Sequence, residues 1–166
     1  MDIEREKQLK RDFPNVYRNL YRKPKYNVIQ RLLRLYFSDF KKIIKYNKLR
    51  SKFSFLPPVH YPQHSIELFG LECGDGWYDL IYNLSGQIED LVKKLPRKQR
   101  KHFHVDQIKE KFGTLRFYMR SSTDEMEDQI SKAEDISAKT CETCGSPGKT
   151  LSTGGWWYTS CEKHKR

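Results

Sequence analysis

Near the C-terminus, Cys141 and Cys144 form a C-x-x-C pair, and after sixteen intervening residues Cys161 and His164 form C-x-x-H. Two short-spaced pairs of soft and borderline ligands give a tetrahedral ion its donors at little cost in chain entropy. Gly145 follows the first pair, where a tight knuckle needs a residue tolerant of positive φ. The stretch KTLSTGGWWYTS between the pairs alternates along its length and holds a Gly-Gly turn, so it reads as a hairpin. Two ligand pairs flanking a hairpin predict a zinc-ribbon or treble-clef-like module with one Zn2+. Only Lys165 and Arg166 follow the second pair here, so the expectation is that any helix beyond it is vestigial. A redox C-x-x-C is the competing reading, and no βαβ pattern accompanies it. Four protein ligands close the coordination sphere, which makes the expected role structural. Cys73 stands apart and reads as a small buried hydrophobe.

The chain of 166 residues is 37% hydrophobic, 32% charged and 13% aromatic, which fits a folded domain with a small appended module. No apolar run reaches the roughly 18 residues that a membrane span needs. The opening MDIEREKQLK is charged and unlike a signal peptide, so the expected location is cytoplasmic, host cytoplasm if the protein is viral. The net charge of +11 is unevenly placed. Residues 1–62 hold sixteen Lys/Arg against five Asp/Glu, whereas residues 63–166 hold sixteen of each. That asymmetry divides the chain into a basic arm (1–62), an α+β core (63–140) and a metal-binding hairpin module (141–166).

Within the arm, Ile29, Leu32, Leu33, Tyr36, Phe37, Phe40, Ile43 and Ile44 recur at helical spacing, which predicts an amphipathic helix over residues 25–50. Arg31, Arg34, Lys41, Lys42, Lys45 and Lys48 lie on its other face. Such a helix packs on its own protein or a second copy, neutralises nucleic-acid phosphates, or lies on an anionic membrane, and the first two are the expected partners. In the core, ECGDGW is a turn with Asp75 as the expected N-cap of a helix carrying Trp77, Leu80, Ile81, Leu84, Ile88, Leu91, Val92 and Leu95 inward. Pro96 ends that helix, and the basic loop RKQRKH follows. Residues 103–119 read as a hairpin with Gly113 at its turn. Ser122 and Glu125 have the spacing of a capping box, ahead of a helix with Met126, Ile130, Ala133 and Ile136 inward.

Trp77, Arg116, Tyr118, Trp156, Trp157 and Tyr158 are the candidates for a ligand surface, because aromatic rings stack on bases and arginine forks onto phosphate. Asp75 joins them at a glycine-flanked turn suited to a base edge, a ribose hydroxyl or a cation. Adjacent residues of a strand face opposite ways, so one of Trp156 and Trp157 is expected to pack inward. His102 and His104 would share a strand face, without an identifiable third partner. No G-x-S-x-G, P-loop or H-E-x-x-H occurs, so no catalytic residue is assigned and the chain is read as non-enzymatic.

The blocks ECGDGW, IKEKFGTLRFY, CETCGSPG and GGWWYTSCEKH, in that order, resemble those of a widespread uncharacterised family of small bacterial and phage proteins. The resemblance covers residues 66–166, and residues 1–62 depart from it. It implies the same zinc-stapled α+β architecture and a phage or mobile-element setting, without implying an activity. Taken together, the expectation is an accessory protein that binds nucleic acid through its basic arm and an aromatic and arginine face. The alternatives are sequestration of a nucleotide-type immune signal in a pocket, and a module that inhibits a host protein partner. Self-association through the amphipathic helix is compatible with each.

Overall fold

The structure, a computed structural model, describes residues 1–20 and 66–165, and elements are numbered within those residues. The basic helix expected over residues 25–50, with Arg31, Arg34, Lys41, Lys42, Lys45 and Lys48, lies outside them. Among the described residues no helix is long and apolar enough to cross a membrane.

The architecture is α+β, as the periodicities predict. Helix α1 (Ile3–Asp12) is followed, after the undescribed segment, by the single turn α2 (Ile66–Phe69) and the two-residue strand β1 (Leu71–Glu72). A 3-10 turn (Asp75–Trp77) leads into the long helix α3 (Tyr78–Lys94). Strands β2 (Val105–Lys111) and β3 (Thr114–Met119) form an antiparallel hairpin, and β1 pairs in parallel with β2, Leu71 opposite Ile108. The β2–β3 turn has Phe112 and Gly113 both at positive φ, the geometry that matches the twist of a tight hairpin. Helix α4 (Asp124–Ser137) packs on β3 and against α3. The C-terminal hairpin is β4 (Lys149–Thr153) and β5 (Trp156–Ser160), with Gly154 and Gly155 at positive φ in its turn.

The period of 3.6 in α3 puts Ile81, Leu84, Ile88 and Val92 on one buried stripe, while Leu80, Leu91 and Leu95 flank it half-buried. Four capping and facing details differ from expectation. Thr123, not Ser122, caps α4 by accepting from the Met126 N–H, and Ser122 instead donates to Glu127. Asp75 does not cap α3, because the 3-10 turn intervenes, and its carboxylate accepts from the Asp2 N–H at 2.6 Å. Ile136 is 51% exposed, because it sits on the outward side of the last turn, whose inward position is taken by the fully buried Ser137. His102 lies in a 3-10 turn rather than a strand, so only His104 is buried.

A larger correction concerns the domain boundary. Residues 1–22 belong to the same compact unit as residues 64–166 and are not part of a separate arm. Leu9, Phe13, Val16, Tyr17 and Leu20 are core residues. Two buried carboxylates hold them there. Glu6 accepts from the Leu71 N–H at 2.9 Å, joining α1 to the start of β1. Glu89, on α3, accepts from the backbone N–H groups of Asn15 and Val16, both at 3.1 Å, and from the Asn15 side chain at 2.6 Å. Nearby, Tyr17 hydrogen-bonds Ser85 at 2.8 Å, and the Val105 N–H donates to the Val16 carbonyl at 2.9 Å. A charged residue in a core costs desolvation unless its lone pairs are met, and here donors from segments distant in sequence meet them.

Truncating Glu89 strands three donors in a closed site. Glu89→Ala should lower the free energy of unfolding by about 3 kcal/mol in chemical denaturation, while Asp90→Ala, on the exposed side of the same helix, should change it by less than about 0.5 kcal/mol.

Candidate metal centre and neighbouring surfaces

The knuckle that carries the first ligand pair is built by its backbone. The Gly145 N–H donates to the Cys141 carbonyl and the Cys141 N–H to the Ser146 carbonyl, each at 2.8 Å, with Gly145 at φ +76°. The Glu142 N–H reaches across to the Thr159 carbonyl at 3.0 Å, fixing the knuckle to β5, and a 3-10 turn over Glu162–His164 presents the second pair.

The Sγ atoms of Cys141, Cys144 and Cys161 and a ring nitrogen of His164 all lie within 4.8 Å of one another. Cys144 and Cys161 are 3.8 Å apart, sulfur to sulfur, and all four cysteines of the chain are free thiols. His164 Nδ1 stands 3.6 Å from Cys141 Sγ and 3.3 Å from Cys161 Sγ. A tetrahedral ion with bonds of about 2.3 Å to sulfur and about 2.0–2.1 Å to nitrogen has edges of about 3.8 Å and 3.6 Å. The four donors therefore have the spacing to hold one metal ion. Burial pushes the Cys141 thiol up, but backbone N–H groups at Cys161, Cys144 and Thr143 outweigh it and bring it down to about 6. The Ser146 hydroxyl and N–H lower Cys144 in the same sense. Thiolate is the ligating form, so the knuckle favours the state a cation needs. Cys73 stands outside the cluster, and burial pushes its thiol up to about 12.

The GDGW turn is the seat of this knuckle. The Gly76 N–H donates to the Glu142 carbonyl at 2.8 Å, and the Gly74 N–H to the Glu142 carboxylate at 2.9 Å. A Cβ on Gly76 would fall 2.3 Å from the Cys141 carbonyl oxygen and 2.6 Å from the Cys144 nitrogen. Trp77 is wholly buried, its indole N–H donating to the Thr140 carbonyl at 2.8 Å, which removes it from the ligand candidates. On the opposite side, Gly113 meets the C-terminal hairpin, where an added Cβ would lie 2.9 Å from the Thr150 methyl and 3.0 Å from the Tyr158 nitrogen. Thr159 donates its hydroxyl to the Gly113 carbonyl there.

The remaining candidates do not form one face. Arg116 is half-buried and committed to Thr114, the Leu115 carbonyl and Glu134, the last at 3.4 Å. Tyr118 is 41% exposed, with the Lys109 ammonium 5.8 Å from its ring centroid. Asp75 is tied to Asp2, and its carbonyl accepts from Arg5. Trp156 and Trp157 are both exposed, at 81% and 51%, against the expectation that one packs inward. The hairpin tip projects beyond the body (Cβ atoms on Gly154 and Gly155 would meet nothing within 4 Å), and Tyr158 is the aromatic that turns in. The two tryptophans line a cleft of about 510 Å³ with Tyr158, Glu72, Glu110 and Glu142. No sequence signal groups those three carboxylates, because they come from three separate blocks. Comparison with family models, with curated proteins and with solved structures gives no match for this chain.

Gly76→Ala should cost about 3 kcal/mol or more, because backbone faces it on every side, and should reduce metal retention in parallel. Gly86→Ala is the contrasting case. Its Cβ would lie 3.6 Å from Phe13 in ordinary contact, within α3, so it should stabilise by about 1 kcal/mol, read as a rise in the denaturation midpoint.

Proposed function

We propose that this protein binds nucleic acid through clustered cations, with a C-terminal zinc ribbon serving as a structural staple. The observation that carries the nucleic-acid reading is a cationic turn on the compact unit. Between Lys93 and His102 the chain holds Lys93, Lys94, Arg97, Lys98, Arg100 and Lys101 with no acidic residue among them. Arg100 pins the turn by donating to the Leu95 carbonyl at 2.9 Å and the Lys93 carbonyl at 2.6 Å. The other five are exposed. Phosphates are met best by cations whose backbone is already held, since less entropy is lost on binding. Residues 23–62 add ten Lys/Arg against Asp39 alone, including Arg31, Arg34, Lys41, Lys42, Lys45 and Lys48. A phage or mobile-element setting, as the four-block resemblance implies, suits such a protein.

Base stacking on Trp156 and Trp157 forms no part of this proposal, because carboxylates wall their cleft and repel phosphate. The same argument weighs against nucleotide sequestration there, and a second cleft of about 540 Å³ is lined by Asp2, Asp75 and Glu142. For the metal, three thiolates and one imidazole at tetrahedral spacing suit zinc, and four protein ligands leave no open position for catalysis.

Deleting residues 1–62 would test neither point, since it removes five core residues with the cations. Substitution in the full chain is the cleaner experiment. Arg97→Gln, Lys98→Gln and Lys101→Gln together should weaken duplex binding. They should also flatten the dependence of log affinity on log salt by about 0.9 for each phosphate no longer neutralised, close to 3 in all. Unchanged affinity and slope would remove this turn from the interface. Metal analysis of purified protein should return about one equivalent of zinc, and a value below about half an equivalent rules the staple out.

A further inference from the structure

We propose that the acidic, tryptophan-lined cleft between the C-terminal hairpin and the β1–β2 edge binds a linear polyamine. The inference is independent of the nucleic-acid reading. The walls combine two features that together select an organic cation. Trp156 and Trp157 present exposed indole faces, whose negative π-clouds attract ammonium groups and whose breadth covers methylene chains. Glu72, Glu110 and Glu142 supply carboxylates, and the lining includes no described lysine or arginine.

Each carboxylate is held in place before any ligand arrives. Glu72 accepts from the Gln107 side chain at 3.0 Å, Glu110 from the Gly113 N–H at 2.5 Å and Glu142 from the Gly74 N–H at 2.9 Å. Three separate sequence blocks thus contribute one acidic group apiece to the same space, and pre-orientation spares the entropy that exposed glutamates otherwise lose on binding.

The volume and openness of the space decide the kind of cation. A cleft of about 510 Å³ exceeds what one hydrated metal ion needs and lies within the range of small-molecule sites. Hard divalent ions gain nothing from indole faces, whereas spermidine offers three ammonium groups on methylene spacers to three carboxylates. A folded protein partner would need an interface of about 800 Å² on each side, far beyond this cleft.

Calorimetry and tryptophan fluorescence of the full chain, titrated with spermidine in low salt, provide the test. The expected result is saturable one-to-one binding that perturbs the emission of the exposed tryptophans. Trp156→Ala should weaken it about tenfold and Glu72→Gln about threefold, and both variants should keep the wild-type melting temperature because both side chains are exposed. Affinity for duplex DNA should be unchanged in Trp156→Ala, which separates this site from the cationic turn. Absence of saturable binding at millimolar spermidine would overturn the proposal. So would equal affinity in wild type and Trp156→Ala, or displacement by magnesium at concentrations matching spermidine, either of which reduces the cleft to diffuse electrostatics. Tryptophan-dependent binding of a lysine-rich peptide without binding of spermidine would also reject it and assign a peptide instead.

Discussion

Between the turn at Gly74–Gly76 and the knuckle at Cys141–Gly145, backbone lies against backbone with no room for a side chain. The contact is sealed by hydrogen bonds into both the carbonyl and the carboxylate of Glu142 and by the Trp77 indole on Thr140. Most of the compact unit is arranged around it. The turn launches α3, whose apolar stripe forms the centre of the core, and the knuckle anchors β5, whose Thr159 and Tyr158 rest on the Gly113 turn of the β2–β3 hairpin. A hairpin module of this size has little core of its own. It gains its burial by fitting two glycine turns of the larger unit, one on each side. The metal-ligand cluster therefore has consequences beyond its own loop, since it shapes the surface against which the start of α3 is set.

Much of this was legible in the residues. The ligand spacing, the apolar stripe of α3, the alternation of β3 and the Gly-Gly turn each report a local rule that the tertiary structure does not override. The failures have a common physical cause, namely that polarity is not the same as exposure. Glu6 and Glu89 are charged, so a hydropathy reading puts them outside the core, yet both are buried, with backbone N–H groups donating to their carboxylates. No periodicity signals that arrangement, because the partner donors lie about seventy residues away in sequence. The tryptophan pair fails for the converse reason. Alternation says which faces two adjacent residues take, but not whether anything covers either face, and the tip of β4–β5 is covered on neither.

Charge averaging hides a further feature. Residues 63–166 sum to zero, but the cations crowd the end of α3 and the turn after it, while carboxylates crowd the first turn of α4 and the cleft under Trp156. Zero net charge over that range therefore conceals stretches of one sign, which a sum over the sequence does not register. The GDGW and KFG blocks, which look like binding motifs when read as strings, are packing joints against the C-terminal module.

The course of the chain through the core has one more consequence. Leu20 and Ile66, on either side of the basic segment, are both fully buried in the same unit, so the stretch between them is an insertion held at both ends. It means that a protease cutting within residues 23–62 would not liberate a domain. It would leave two peptides still clasped through Glu6, Glu89 and the shared core, a nicked protein that migrates as one particle until denatured.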